Sequence, residues 1–316
     1  EFIDFVFKEE EEAKLAEYIF SISGFRNLKT PPSFHNNQPF PAFEAINFKN
    51  YTNFIIETKK GCIKKCIFCS ALKNKGGVEH YLSIPYIKTV LDMIERKLPP
   101  ENKNINFIDD DFTSNPEFME LILKEVTNKK LTFSFNAVLA NLDLKKINQL
   151  SKAGGKSLFF GLEACHPLLS MGNKKISFDK ALNTISLLEA FSVSTSIIYG
   201  VPGEKLELLK NYLLLTAFLR KKFSDLKLSF NLLSPFPGTL ILSKFKNSLY
   251  AGEFISNCCY LPLPFRETVI YKLLMEYPLT FSGFYSIQPR KTLYKKIDLL
   301  RSFDINAGYR FKTPEN

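Results

Sequence analysis

Apolar and polar positions along this chain follow two periods, and the two alternate. A short apolar run from Asn53 to Thr58 reads as a strand, and strand-like runs recur at Asn104 to Ile108, Leu131 to Val138, Lys156 to Gly161, Val193 to Tyr199 and Leu226 to Leu233. Between them the spacing widens to that of a helix. Tyr86 to Leu98 sets Ile87, Val90, Leu91, Ile94 and Leu98 on one face, and similar stripes run from Asn115 to Val126, Asp143 to Ala153, Asp179 to Phe191 and Glu204 to Phe223. The punctuation agrees, with Asn115-Pro116 as cap and first-turn proline of one helix and Gly154 closing the next. Six strands with helices between them predict an α/β fold with a parallel sheet and right-handed crossovers, either doubly wound or curved into a partial (β/α)6 TIM-like barrel. In a barrel, chemistry collects at the C-terminal strand ends, so polar clusters there are the first candidates.

The flanks read differently. Phe2 to Phe7 suits a strand, Glu9 to Phe20 a helix with an acidic first turn, and Thr30 to Pro41, with four prolines, a linker. Residues 251–316 carry no motif, which divides the chain into 1–50, 51–250 and 251–316. It opens at Glu1 without an initiator Met or a signal region, and is expected to be a piece of a longer protein.

Composition changes this picture only in part. The chain has 316 residues, 45% of them hydrophobic, which suits a globular protein with a sizeable core. A formal charge of +10 favours anionic partners, but the charge is scattered, with no block longer than a triplet such as Arg220-Lys221-Lys222. A solvated surface is the expectation, and nucleic acid the lesser reading. The richest apolar run, Leu206 to Leu219, is broken by Lys210 and Asn211, so no membrane span is expected. Six cysteines, three of them clustered, do not make a disulfide framework and point to the reducing cytoplasm.

Those three lie in Gly61-Cys62-Ile63-Lys64-Lys65-Cys66-Ile67-Phe68-Cys69, just after the first strand. A loop with Cys-x3-Cys-x2-Cys spacing can aim three thiolates at one iron–sulfur cubane and leave one iron without a protein ligand. Two other readings stay open at this point. Cys66 and Cys69 make half of a zinc site, with Cys165, His166, Cys258 and Cys259 as the remaining candidates, or a redox dithiol that leaves Cys62 unexplained. The other strand ends carry Asp109-Asp110-Asp111, Gly161-Leu162-Glu163, Gly200-Val201-Pro202-Gly203-Glu204 and Ser234-Pro235-Phe236-Pro237-Gly238-Thr239.

Taken together, these motifs resemble the radical SAM superfamily in order and placement over about residues 50 to 240. The spacing of Cys62, Cys66 and Cys69, with Phe68 before the third, is similar to the family's cluster loop. The acidic turn stands where the family's Gly-Gly-Glu motif holds the amino group of S-adenosylmethionine, and Gly161-Leu162-Glu163 looks like its Gly-x-Glu near the ribose. Ile197 to Glu204 is similar to the apolar strand and Gly-x-Pro-Gly-Glu turn beside adenine, and the closing Pro-Phe-Pro-Gly-Thr to the turn that ends the core in the cobalamin-linked branch. The resemblance implies a partial barrel holding a [4Fe-4S] cluster on Cys62, Cys66 and Cys69, with its open iron chelating S-adenosylmethionine. It further implies Asp110 or Asp111 on the ammonium, Glu163 on the ribose side, and Phe68, Ile198 and the Gly200 turn around adenine. Reductive cleavage to methionine and a 5′-deoxyadenosyl radical then needs an electron donor such as flavodoxin or ferredoxin, and serves substrate modification or methyl transfer on an unknown substrate. An electron-transfer iron–sulfur protein on the same core is the alternative.

The departures are specific. Ala164-Cys165-His166 replaces the family's Ser-Gly, and reads either as a substrate-side acid/base or quencher, or as a small buried Cys beside a surface His. Lys174 matches a family lysine and equally a surface one, Cys258-Cys259 suits core packing, and His35 and His80 receive no role. The first fifty residues resemble the end of a cobalamin-binding domain plus linker, with Lys8 to Glu12 where a Gly-Glu-Gly-Glu stretch is usual. A cobalamin domain would lie upstream of this sequence, so cobalamin is left open as a cofactor.

Overall fold

The computed structural model describes residues 40–303 except 42, 49–50, 52, 71–76, 99–102, 167, 170–175 and 251–268, together with Lys14, Tyr18 and Ser21. The strand expected at Phe2 to Phe7, most of the N-terminal helix and of the proline-rich stretch, His35, Lys174, Cys258 and Cys259 lie outside those residues, as do the side chains of Ala164 and Cys165.

Strand β1 (Phe54–Ile56) leads into a short antiparallel ribbon, β2 (Lys59–Lys60) with β3 (His80–Tyr81). Helix α1 (Ile84–Lys97) and β4 (Asn104–Phe107) begin a regular alternation that continues through α2 (Pro116–Asn128), β5 (Thr132–Asn136), α3 (Leu144–Lys152) and β6 (Gly155–Gly161). Then come α4 (Phe178–Ser186), β7 (Ser192–Tyr199), α5 (Leu206–Lys222) and β8 (Lys227–Leu232). The parallel sheet runs β1-β4-β5-β6-β7-β8, strictly in chain order. A doubly wound sheet reverses its order part-way, so this topology leaves the curved alternative. Strands β1 and β8 are its two edges and do not pair with each other, which makes the expected partial (β/α)6 barrel an open one.

The pattern of side chains explains why the sheet faces as it does. In β7, Val193, Thr195, Ile197 and Tyr199 are buried while Ser192, Ser194, Ser196 and Ile198 are half-buried on the other face. Strand β5 repeats this with Phe133 and Phe135 against Thr132, Ser134 and Asn136. One face therefore packs on the helices and the inner face carries hydroxyls and amides. The phenylalanine excess goes partly into that packed layer, where Phe107 stacks on Phe112 at 4.7 Å and meets Phe133 at 5.6 Å, and Phe135 meets Phe191 at 5.8 Å.

Helix α4 stops at Ser186, short of the Phe191 expected from its stripe. Leu187 and Leu188 donate to Thr184 and Ile185, one residue tighter than an α-helix allows, and the Ser186 hydroxyl takes the Asn183 carbonyl at 2.7 Å. After β8 come α6 (Leu240–Phe245), α7 (Val269–Glu276) and α8 (Arg290–Ser302), the last placing Leu293, Ile297 and Leu300 in the main core. Among the described residues no helix is long and apolar enough to cross a membrane.

Candidate functional site

The cysteine loop is the connection of the β2–β3 ribbon, and its entry is fixed by the neighbouring strand end. Thr58 and Lys59 donate backbone N–H groups to Asp109 Oδ1 at 2.8 and 3.1 Å, and the Thr58 hydroxyl donates to Oδ2 at 2.6 Å. Burial holds the Asp109 carboxyl above its ordinary range against the pull of those donors. At the other end of the loop, Lys59 Nζ reaches Glu79 Oε1 at 2.5 Å and the Ser114 hydroxyl, so the ribbon is tied to the approach of α2.

Within the loop Cys66 is buried, Cys62 and Cys69 are half-buried, and none of the three is in a disulfide. The Cys69 N–H donates to Cys66 O at 3.1 Å and the Lys64 N–H to Cys62 Sγ at 3.4 Å. Burial first, then the charges of Asp110, Asp111 and Cys66, push the Cys62 thiol up to about 11, against the Lys64 N–H. The thiol is thus protonated in neutral solution, and a cationic centre must displace that proton to bind there. Three thiols from one loop outside any disulfide, one of them accepting an N–H, suit a cubane that places each thiolate on a separate iron. Among the described residues no three Cys, His, Asp or Glu groups meet at the single point that one metal ion would need.

The three aspartates after β4 have three fates. Asp109 clamps the loop entry. Asp111, fully buried, accepts from the Thr113 N–H and hydroxyl at 3.1 and 2.8 Å, from the Val138 N–H at 3.3 Å and from Asn141 Nδ2 at 2.6 Å. Those four donors occupy the carboxylate with protein. Asp110 is the exposed one, and its charge is felt at Cys62. Buried Lys64 adds a link that the sequence did not show, with Nζ on Asn141 Oδ1 at 3.3 Å, so the loop and the Asp111 network share one amide.

Across the mouth, Phe68 and Ile198 pack in one apolar cluster with Ile67, Val201 and Leu233, and the Ile241 N–H at the start of α6 donates to Ile67 O at 2.9 Å. Glu163 is buried at the end of β6, with its carboxylate lying against Gly161, where a Cβ would stand 2.0 Å from Oε2. Gly200 closes β7 at φ +81°, where a Cβ would meet Leu232 Cδ1 at 2.2 Å, and its N–H donates to Glu204 Oε2 at 2.9 Å. The positive φ at this turn strongly favours glycine.

His166 is neither a surface residue nor an open acid/base. It is buried, its Nδ1 accepts the Leu168 N–H at 3.1 Å, and Nε2 faces Glu204 Oε1 at 3.8 Å. Burial, helped by the Lys296 charge, lowers its pKa to about 4, so the ring is neutral. The imidazole is therefore committed away from the cysteines, against the zinc reading.

Fold and loop together define a partial (β/α) barrel with a cluster-type cysteine motif at its strand ends. The chain belongs to the Radical SAM superfamily, whose family profile matches residues 56–215, and with it come the family's cofactors, a [4Fe-4S] cluster and S-adenosylmethionine. It is 25% identical over 211 residues to an uncharacterized methyltransferase of Pyrococcus horikoshii, covering 64% of this chain and 45% of that protein. To the bacteriochlorophyllide d C-12(1)-methyltransferase of Chlorobaculum tepidum it is 22% identical over 224 residues, 69% of this chain and 47% of the relative. The chain thus spans about half the length of the curated relatives it matches. Among solved structures, the radical S-adenosylmethionine methyltransferase TsrM of Kitasatospora setae, with cobalamin and a [4Fe-4S] cluster bound, shares the fold at TM-score 0.61 and 15% identity, over 83% of this chain and 55% of that one. The cobalamin-dependent S-adenosylmethionine radical enzyme OxsB, with aqua-cobalamin and S-adenosylmethionine bound, does so at TM-score 0.51 and 14% identity, over 95% and 45%.

Proposed function

We propose that this chain is the core of a radical SAM enzyme, most consistent with methyl transfer, whose cluster is held by Cys62, Cys66 and Cys69. The observation that carries the assignment is convergence. The exposed Asp110 lies near enough to the loop for its charge to act on the Cys62 thiol, while Phe68 from the loop and Ile198 from β7 share one apolar cluster. A charged contact and an apolar wall on two sides of a half-buried cysteine loop suit a ligand with an ammonium at one end and a flat base at the other.

When bound, the cluster and S-adenosylmethionine supply a 5′-deoxyadenosyl radical or a transferable methyl group. The chain's own part is placement. Asp110 receives the ammonium, and Asp111, already met by four donors, holds the shape of that turn. Glu163 takes the ribose side, and Phe68, Ile198 and Gly200 enclose the adenine and exclude water. An external low-potential electron donor is required. Methyl transfer is favoured by the names of the curated relatives and of TsrM, and cobalamin as its carrier by the cobalamin held in both solved relatives.

The test is electron paramagnetic resonance of the anaerobically reconstituted, reduced protein with and without S-adenosylmethionine. A cluster signal that changes on adding the cofactor is expected; a signal indifferent to it would leave an electron-transfer protein. Cys66→Ala should lose cluster iron, and a full iron complement in that variant rejects the ligand set. Adding cobalamin and scoring methylcobalamin against 5′-deoxyadenosine separates methyl transfer from hydrogen abstraction.

A further inference from the structure

Lys296 of α8 is fully buried, and its Nζ donates to Glu204 Oε2 at 2.6 Å, the same oxygen that accepts the Gly200 N–H. Two more contacts from the same C-terminal segment reach this turn. Gln288 Nε2 donates to Val201 O, and Leu293 Cδ1 lies 3.8 Å from where a Cβ of Gly200 would stand. Ile297 and Leu300 already bury the helix in the core, so the polar contacts of Lys296 and Gln288 add something that covering the core does not require. A buried ion pair is a costly way to fasten a helix, because both charges must be desolvated and apolar side chains do the same work. The second Glu204 oxygen, Oε1, faces His166 Nε2, and the backbone N–H on Nδ1 leaves the ring proton on Nε2. Glu204 therefore joins the turn after β7 to α8, with His166 from the β6 turn standing 3.8 Å away without a hydrogen bond.

We infer that Lys296 is a positioning residue for S-adenosylmethionine. It fixes the Glu204 carboxylate, which fixes the Gly200 N–H and with it the backbone of the turn that follows Ile198. The C-terminal helix thereby becomes part of the cofactor site, acting through the turn. The inference rests on placing adenine beside Ile198 and Gly200. Without the ammonium, a buried Glu204 takes up a proton or swings toward water, the Gly200 N–H loses its charged acceptor, and the positive-φ turn relaxes.

The experiment uses reconstituted wild type, Lys296→Met and the double variant Glu204→Gln with Lys296→Met. Cluster iron, urea midpoint and S-adenosylmethionine affinity by anaerobic equilibrium dialysis are measured on each. Lys296→Met is expected to keep its iron and to bind the cofactor about tenfold more weakly, a loss of roughly 1.4 kcal/mol. A lower urea midpoint with unchanged cofactor affinity overturns the inference and leaves Lys296 a fastener only. If the single variant does not fold, the double variant, with no unpaired buried charge, decides in the same way: weakened binding at full iron supports the inference and unchanged binding rejects it. Wild type that carries full iron yet ignores S-adenosylmethionine fails at the earlier step, the cofactor assignment itself.

Discussion

Two sets of buried carboxylates hold the strand ends, and they are satisfied in opposite ways. Asp109 and Asp111, beside the cysteine loop, are met by backbone N–H groups, threonine hydroxyls and an asparagine amide. Glu204, beside the β6 and β7 turns, is met by the ammonium of Lys296, 92 positions away in the chain. Neutral donors satisfy Asp109 and Asp111 directly, and the nearby buried ammonium groups of Lys59 and Lys64 bond to Glu79 and Asn141 instead. An ion pair joins distant segments, but each partner is tolerable only while the other is present. The cysteine-loop side is thus held mainly by neutral donors, with the buried Lys59–Glu79 pair fastening the ribbon beside them, and the side facing Ile198 is conditional on the far end of the chain.

The sharpest way to break the comparison is to empty the neutral set. Asp109→Ala leaves three buried donors without an acceptor and should lower unfolding stability by about 4 kcal/mol in urea, with disordered iron loading as the functional trace. Asp109→Asn, which keeps an acceptor, should lose less than half of that. For the charged set, Lys296→Met should cost about 3 kcal/mol, and removing Glu204's charge as well should recover much of it. No such recovery is expected for any pair built on Asp109, and finding one would erase the distinction.

The third difference is in pH. His166 has its pKa lowered to about 4 from 6.5, so between those values the unfolded chain binds a proton that the folded one refuses. Stability should therefore fall as the pH drops through this window, by up to about 1.4 kcal/mol per unit, and His166→Gln should flatten the slope. Glu204 and Asp109, which burial holds above the usual carboxylate range, act with the opposite sign, and the difference between the two proteins isolates the imidazole's share. The smallest structural effect belongs to Asp110→Asn. This aspartate is exposed, so the urea midpoint should stay put while S-adenosylmethionine affinity drops.

Most of the strands and the helices between them were legible because they span enough residues for a period to show, while β1, three residues long, shows only as a short apolar run. The β2–β3 ribbon was not legible, since two residues per strand carry no period. The cysteine loop declared itself by spacing. Lys64 did not, because a lysine between loop cysteines reads as solvated until Asn141 and the barrel wall are seen around it. Three adjacent aspartates are identical as text, and only the backbone's path through the turn separates the clamp, the filled carboxylate and the open one. The Lys296–Glu204 pair was invisible for another reason: each side chain alone sits in an ordinary polar position, and their meeting depends on the whole barrel being wound first.

The carboxylate of Glu163 occupies the space above Gly161, with Oε2 at 2.0 Å and Oε1 at 2.3 Å from where a Cβ would be. A carboxylate is the mobile end of its side chain, so an alanine at 161 would be accommodated by swinging it aside at small expense to the fold. Stability should then change little, and cofactor affinity is the measurement in which the proposed role of Glu163 would register it. The two positions are therefore coupled in one direction: Glu163 can be replaced while the glycine stays, but a side chain at 161 must displace the acid.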